Sequence, residues 1–275
     1  MKKLLLAFVC FIGVFISACS SVQTETVCEK SKSVRKIAVQ SWTCNAYTVE
    51  EMCILFNSLG VDKIELHMGQ KLGGCFPNIR TNPNMKKEHF DYMVSLFDKY
   101  GIKVIATGVH YVKSEASVID ICNFAKKLGV EFITTECTPE MIKVWRKHIG
   151  DIKLAVHNHD KMPFADFNYV AKLIAPYDNV GACADNGGWT RAGLDSVEGM
   201  KALKGKLFML HFKDQEKLGD NKSNAKIYGT GCVDLKAVLA ELDKQGFDGY
   251  FVIEHGNYDD KFQVIKRDID FLKNN

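Results

Sequence analysis

One unit repeats along this chain, and its repetition restricts the fold more than any other feature. A short β-branched run is followed by a loop and then by a segment of helical apolar spacing that ends in Gly or a cation. Strands are expected at Lys36–Gln40, Asp62–His67, Lys103–Thr107, Glu131–Thr135, Lys153–His157, Val180–Ala184, Leu207–His211 and Tyr250–Glu254. The intervening helices have legible starts. Thr48-Val49-Glu50-Glu51 and Asp195-Ser196-Val197-Glu198 read as capping boxes, Asn84 and Ser114 as N-caps, and Thr138-Pro139 places proline at the first helical position. Gly60, Gly101 and Gly129 offer left-handed helix ends. Strands alternating with helices pair in parallel through right-handed crossovers. Eight such units close a barrel, whereas an open doubly wound sheet usually has fewer. The expected fold class is α/β, a single (β/α)8 TIM barrel over residues 35–275.

The residues before the barrel read as an export and anchoring segment. Lys2 and Lys3 precede the apolar run Leu4 to Phe15, and Ile16-Ser17-Ala18-Cys19 has the form of a bacterial lipobox. Residues 1–18 are therefore expected to be a signal peptide, and residues 19–34 a polar tether carried on a lipid at Cys19. The apolar run is too short for the roughly 20 residues that span a bilayer. This predicts an exported lipoprotein facing the periplasm. Without Lys2 and Lys3 the formal charge of +3 falls to about +1, and no basic cluster interleaved with aromatics stands out, so no nucleic-acid partner is expected. Ten cysteines include Cys10 and Cys19; the others form no Cys-x-x-Cys pair, and Cys53, Cys122 and Cys183 fall in apolar patterns expected to be buried. Self-association into a homo-oligomer is left open.

Polar residues gather where the strands end, which is the rim that carries chemistry in a barrel. Strand two ends in Glu65-Leu66-His67, strand three runs on to His110, and strand four ends in Glu136. Strand five ends in His157-Asn158-His159-Asp160, strand six leads to Asp185, strand seven to His211-Phe212-Lys213-Asp214, and strand eight to Glu254-His255. Each alone has a plain structural reading as a cap or solvated loop residue; seven of eight strands doing the same argues for a site. Carboxylates and imidazoles without a thiolate pair suit Mn2+, Zn2+, Co2+, Fe2+ or Mg2+. His157 and His159 lie two apart on extended chain and so face the same way. Two glycine-rich stretches frame the rim, Asp185 to Gly193 and Tyr228 to Gly231. Trp189 in the first offers an apolar face for a sugar ring. Neither matches a Walker or dinucleotide motif, so a phosphate site has little support.

The order Gly181-Ala182-Cys183-Ala184-Asp185, Trp189, Arg191, Gly193-Leu194-Asp195, His211-Phe212-Lys213-Asp214, Gly229-Thr230-Gly231 and Glu254 resembles the sugar phosphate isomerase/epimerase family. These are the xylose-isomerase-like barrels, and the His-Asn-His of strand five resembles one branch of them. The resemblance implies a divalent metal held by Asp185, His211 and Glu254. Its fourth ligand is open: ketose epimerases have a glutamate on strand five, where this chain has His157, so Glu136 competes with His157 and His159. Relatives often have Gly-His-Trp where this chain has Gly187-Gly188-Trp189.

The resemblance implies a metal-dependent sugar isomerase or epimerase that removes a proton next to a carbonyl. Catalytic groups are expected among Glu254, His157, His159 and Lys213, and substrate contacts at Glu65, His110, Trp189 and Arg191. Two alternatives remain: a lyase or dehydratase eliminating from a keto sugar or oxidised glycoside, and a non-catalytic sugar-binding lipoprotein. Export favours a free carbohydrate over a sugar phosphate as the partner.

Overall fold

Eight parallel strands close into a barrel in a computed structural model that describes residues 34–256 and 258–275. The expected signal peptide, Cys19 and the tether up to Ser33 lie outside the described residues. The strands are β1 (Lys36–Gln40), β2 (Lys63–Leu66), β3 (Lys103–His110), β4 (Phe132–Thr135), β5 (Lys153–His157), β6 (Val180–Asp185), β7 (Leu207–Phe212) and β8 (Tyr250–Ile253). Each pairs with its neighbours in sequence, and β8 closes on β1. The helices are α1 (Val49–Leu59), α2 (Lys87–Tyr100), α3 (Glu115–Leu128), α4 (Pro139–His148), α5 (Phe167–Ile174), α6 (Asn186–Arg191), α7 (Ser196–Ala202), α8 (Leu235–Gln245) and α9 (Lys261–Asn274). No described helix is long and apolar enough to cross a membrane.

Two apolar regions hold the fold. The larger fills the space between barrel and helices, with Phe56, Trp145 and Leu210 fully buried. The smaller lies inside the barrel, where Ala38, Ala106, Ala155 and Cys183 leave room for Phe132 and Tyr250. Phe132 packs against Phe208 and Tyr250 at ring distances of 5.9 and 6.1 Å, and the Lys153 ammonium lies over both phenylalanines. These rings stop the barrel at its N-terminal end and leave the other end for polar groups. Two short hairpins decorate that open end, Lys71–Gly73 with Phe76–Arg80 and Asp214–Gln215 with Ala225–Lys226.

Most expected punctuation is present. Gly60, Gly101 and Gly129 end their helices at φ between 66° and 69°. Ser114 and Thr138 cap α3 and α4. Two caps differ. Asn84 donates to Asp120 instead, and α2 begins after Lys86 without a side-chain cap. Asp195 accepts from Val197 and Glu198, but Glu198 turns to the Lys201 ammonium at 2.7 Å, where a full charge one turn on replaces the return bond. The seven described cysteines are free thiols; Cys75 and Cys232 are exposed, and Cys53, Cys122 and Cys183 are buried.

At Thr48 the capping box is complete: its hydroxyl accepts from Glu51 N at 3.2 Å, and its own N donates to Glu51 Oε2 at 2.8 Å. Thr48→Ala is expected to cost about 1 kcal/mol of stability, read as a lower urea midpoint at unchanged slope.

Candidate functional site

The pairing of strands sets the site. Along the β6–β7 ladder Asp185 stands opposite His211, and along β1–β2 Gln40 stands opposite Glu65. His211 is fully buried, with Nε2 2.6 Å from Glu65 Oε2 and Nδ1 2.8 Å from Glu254 Oε2. His157, at the end of β5, puts Nε2 3.1 Å from His211 Nδ1 and 3.6 Å from Asp185 Oδ2. Lys213 donates to Asp185 Oδ2 at 2.9 Å and lies 3.1 Å from Glu254 Oε2. Donor atoms of His157, Asp185 and His211 all lie within 4.8 Å of one another, and all three residues are buried. At metal–donor lengths of about 2.0–2.2 Å, adjacent ligands stand roughly 3–3.5 Å apart. The spacing of these donors and their chemistry therefore fit one divalent ion.

Two asparagines, given no role in the sequence reading, hold this arrangement still. Asn158 accepts from Asp185 N and donates to Asp185 O, each at 2.8 Å. Asn186 accepts from Lys213 N at 2.8 Å and donates to Lys213 O at 2.5 Å. An amide next to a strand end can bracket a neighbouring peptide because it carries one donor and one acceptor side. Asp185 also caps α6, taking Gly188 N on Oδ1 at 2.9 Å. A Cβ on Gly188 would stand 3.1 Å from Asn158 Nδ2 and 3.3 Å from the His159 carbonyl carbon. The Asn158 bracket thus crowds the place where relatives carry histidine.

Burial alone would raise the Asp185 pKa, but Lys213, His157 and Arg191 override it and hold the carboxyl well below its ordinary range. Glu254 is lowered in the same way by Lys213 and His211. Burial opposes charge on His211, yet Cys183, Glu65 and Glu254 raise its pKa well above the usual imidazole value. Lys213 is likewise raised against its burial by Asp185 and Glu254.

Above the cluster opens a cavity of about 280 Å³, walled by Gln40, Trp42, His67, Val109, Tyr111, His157, His159, Asp185, Lys213 and Glu254. His159 is half-exposed, with Nδ1 3.0 Å from Asp160 Oδ1. Trp42 and Tyr111 stand exposed at the mouth, and Trp42 meets His67 edge to face at 4.9 Å. Neither Trp42 nor Tyr111 ends a predicted strand with a charged group, so the rim pattern passed over both.

The structure brings together Asp185, His211, Glu254, His157 and Lys213, with His159 on the cavity wall. Other expected positions differ. Glu65 does not reach the cavity wall; it lies beneath His211 and accepts from the Thr134 hydroxyl. His110 turns to Thr107 Oγ1 at 3.0 Å and toward the Trp145 ring, because its strand runs on past the rim. Trp189 is fully buried against Phe167 and Gly199, so the aromatic faces at the mouth belong to Trp42 and Tyr111. Arg191 is drawn to Asp160 at 3.2 Å, off the cavity wall. Glu136 stands 3.8 Å from His157 Nδ1, the side of the ring away from the cluster, so His157 and not Glu136 joins Asp185 and His211. The glycine loop after β7 is also occupied: Gly229 and Gly231 donate to Asp214, an internal carboxylate where a phosphate would sit.

Known proteins give a consistent picture. The family model described as a xylose isomerase-like TIM barrel matches residues 53–275. No curated protein sequence matches the chain. An uncharacterized protein from Parabacteroides distasonis is similar at 28% identity and TM-score 0.72, over 88% of this chain and 99% of its own. A D-allulose 3-epimerase from Methylomonas sp. shares the fold at 10% identity and TM-score 0.70, over 87% of this chain and 97% of its own. So does a xylose isomerase-like TIM barrel protein from Mycobacterium smegmatis in complex with magnesium, at 14% identity and TM-score 0.67, over 86% and 95%.

Lys213 is the ammonium on which both Asp185 and Glu254 rely. In chelator, Lys213→Ala is expected to lower unfolding free energy by roughly 3–5 kcal/mol, the cost of leaving buried charge without its partner. Added divalent ion should recover more of the melting temperature in this variant than in the unaltered protein.

Proposed function

This chain belongs to the xylose isomerase-like TIM barrel family, and from that membership we propose that it is a sugar isomerase or epimerase that moves a proton at a carbon next to a carbonyl. The carrying observation is one cavity on which Glu254, His159 and Lys213 converge, directly over His157, Asp185 and His211. The shared fold of a D-allulose 3-epimerase and of a magnesium-bound relative supports the same reading. A divalent ion would be held by Asp185, His157 and His211 and would supply a Lewis acid for the substrate carbonyl.

The chain's own groups divide the remaining work. Glu254, ionised beside Lys213, takes the carbon-bound proton. The Lys213 ammonium stabilises negative charge that develops on the substrate oxygen. His159, with Nδ1 3.0 Å from Asp160 Oδ1, has Nε2 to carry a proton from a different strand of the rim. Return of the proton to the opposite face gives epimerisation, and return to the neighbouring carbon gives isomerisation. His157 turns Nε2 into the cluster and Nδ1 toward Glu136, which takes it out of this task.

A cavity of about 280 Å³ is at the small end for ligand sites and matches a monosaccharide. Lys213 is the only Lys or Arg on its described wall, and its charge is met by two carboxylates, which favours a neutral sugar over a phosphorylated one. The lipobox at Cys19, with its signal peptide and tether, belongs to the same reading: an exported lipoprotein meets free carbohydrate. One observation favours elimination as the second reading. With His157 at the end of β5, Glu254 is the one carboxylate base offered, enough to start loss of a β-oxygen.

In deuterated water, a panel of free keto and aldo sugars is expected to acquire deuterium next to the carbonyl, while the phosphorylated counterparts do not. A product of lower mass with new ultraviolet absorbance would select elimination. No exchange and no elimination across the panel sinks both readings. Glu254→Gln should lower kcat roughly 10²–10⁴-fold, with a smaller change in KM.

A further inference from the structure

The two imidazoles of the cluster share a pattern. His211 presents Nε2 to Glu65 at 2.6 Å and turns Nδ1 inward. His157 presents Nδ1 to Glu136 at 3.8 Å and turns Nε2 inward. His157 Nδ1 and Glu136 Oε1 are both buried without a hydrogen-bond partner among the described residues, so each is the nearest relief for the other. A cation bound on the inner side would take the lone pair of each inner nitrogen and direct each outer N–H to its carboxylate. The two inner nitrogens face each other at 3.1 Å, with Asp185 Oδ2 3.6 Å from that of His157 and Glu254 Oε2 2.8 Å from that of His211. Nitrogen and oxygen donors at that spacing suit one cation placed among them.

We propose that His157, His211 and Asp185 form a two-imidazole, one-carboxylate site that selects Zn2+, Co2+ or Fe2+ over Mg2+, with Glu65 and Glu136 as positioning residues. The proposal rests on the divalent-ion reading above and narrows it. Its physical basis is the softness of the donors. Mg2+ prefers six oxygens and gives up water reluctantly, whereas imidazole nitrogen suits the later first-row ions, with Mn2+ between. A glutamate in place of His157 would tip the donor set toward oxygen and toward Mg2+. Fully enclosed Glu65 fixes the direction of one ring, and Glu136 is the carboxylate that faces the outer nitrogen of the other.

The test is titration calorimetry of the full chain, stripped with chelator, against Co2+, Zn2+ and Mg2+ separately, with the visible absorption of bound Co2+ as a second readout. One Co2+ per chain is expected, bound at least about 100-fold more tightly than Mg2+. His157→Glu should narrow that ratio by about tenfold or more, and His157→Gln should weaken Co2+ without strengthening Mg2+. Glu65→Gln should weaken Co2+ roughly 10–100-fold and shift its spectrum, while circular dichroism reports an unchanged fold. Equal affinity for Co2+ and Mg2+, or a ratio unmoved in both His157 variants, overturns the selectivity and leaves the proposed proton transfer standing. Failure of every dication to bind overturns the selectivity and the metal reading together.

Discussion

The contact between Glu65 and His211 is the constraint around which the rim is built. A carboxylate and an imidazole, both without solvent exposure, meet at 2.6 Å inside the barrel. Neither tolerates that depth alone, since an uncompensated buried charge is among the most destabilising features a fold can carry. Their pairing fixes the ring of His211, and the ring in turn sets where Glu254, His157 and Lys213 must lie. Thr134, contributed by β4, completes the shell around Glu65. The barrel interior below is apolar, so the polar groups of the site gather in one layer of side chains.

The barrel was legible in the sequence because parallel strands buried on both faces leave continuous apolar runs, and because helices announce their ends through residues such as Thr48 and Gly60. The layer of polar residues at strand ends was legible for the same reason: it closes those runs strand after strand. What lay beyond was which way each side chain points. Inside a strand, alternation decides, as for Asp185 and His211. Past the last paired residue the rule lapses, and Glu136 swings to the outer side of His157. Trp189 sits on a short helix whose inward face no period could reveal, and Trp42 sits on a 3-10 turn with no charged neighbour to mark it.

Departures from the family pattern have local causes. A Cβ at Gly188 would stand close to Asn158 and to the chain at His159, and Asn158 brackets Asp185. Similarly, the glycine loop that could have cradled an anion is folded onto Asp214, which takes backbone donors from Gly229, Gly231 and Val233.

The stack of Phe132, Phe208 and Tyr250 across the lower barrel has a consequence for traffic. With that end stopped, the cavity is a blind chamber, and whatever goes in must come out past Trp42 and Tyr111. Arrival and departure then exclude each other. Whatever occupies the chamber has to clear the doorway before the next can enter, and those two aromatic side chains stand at it.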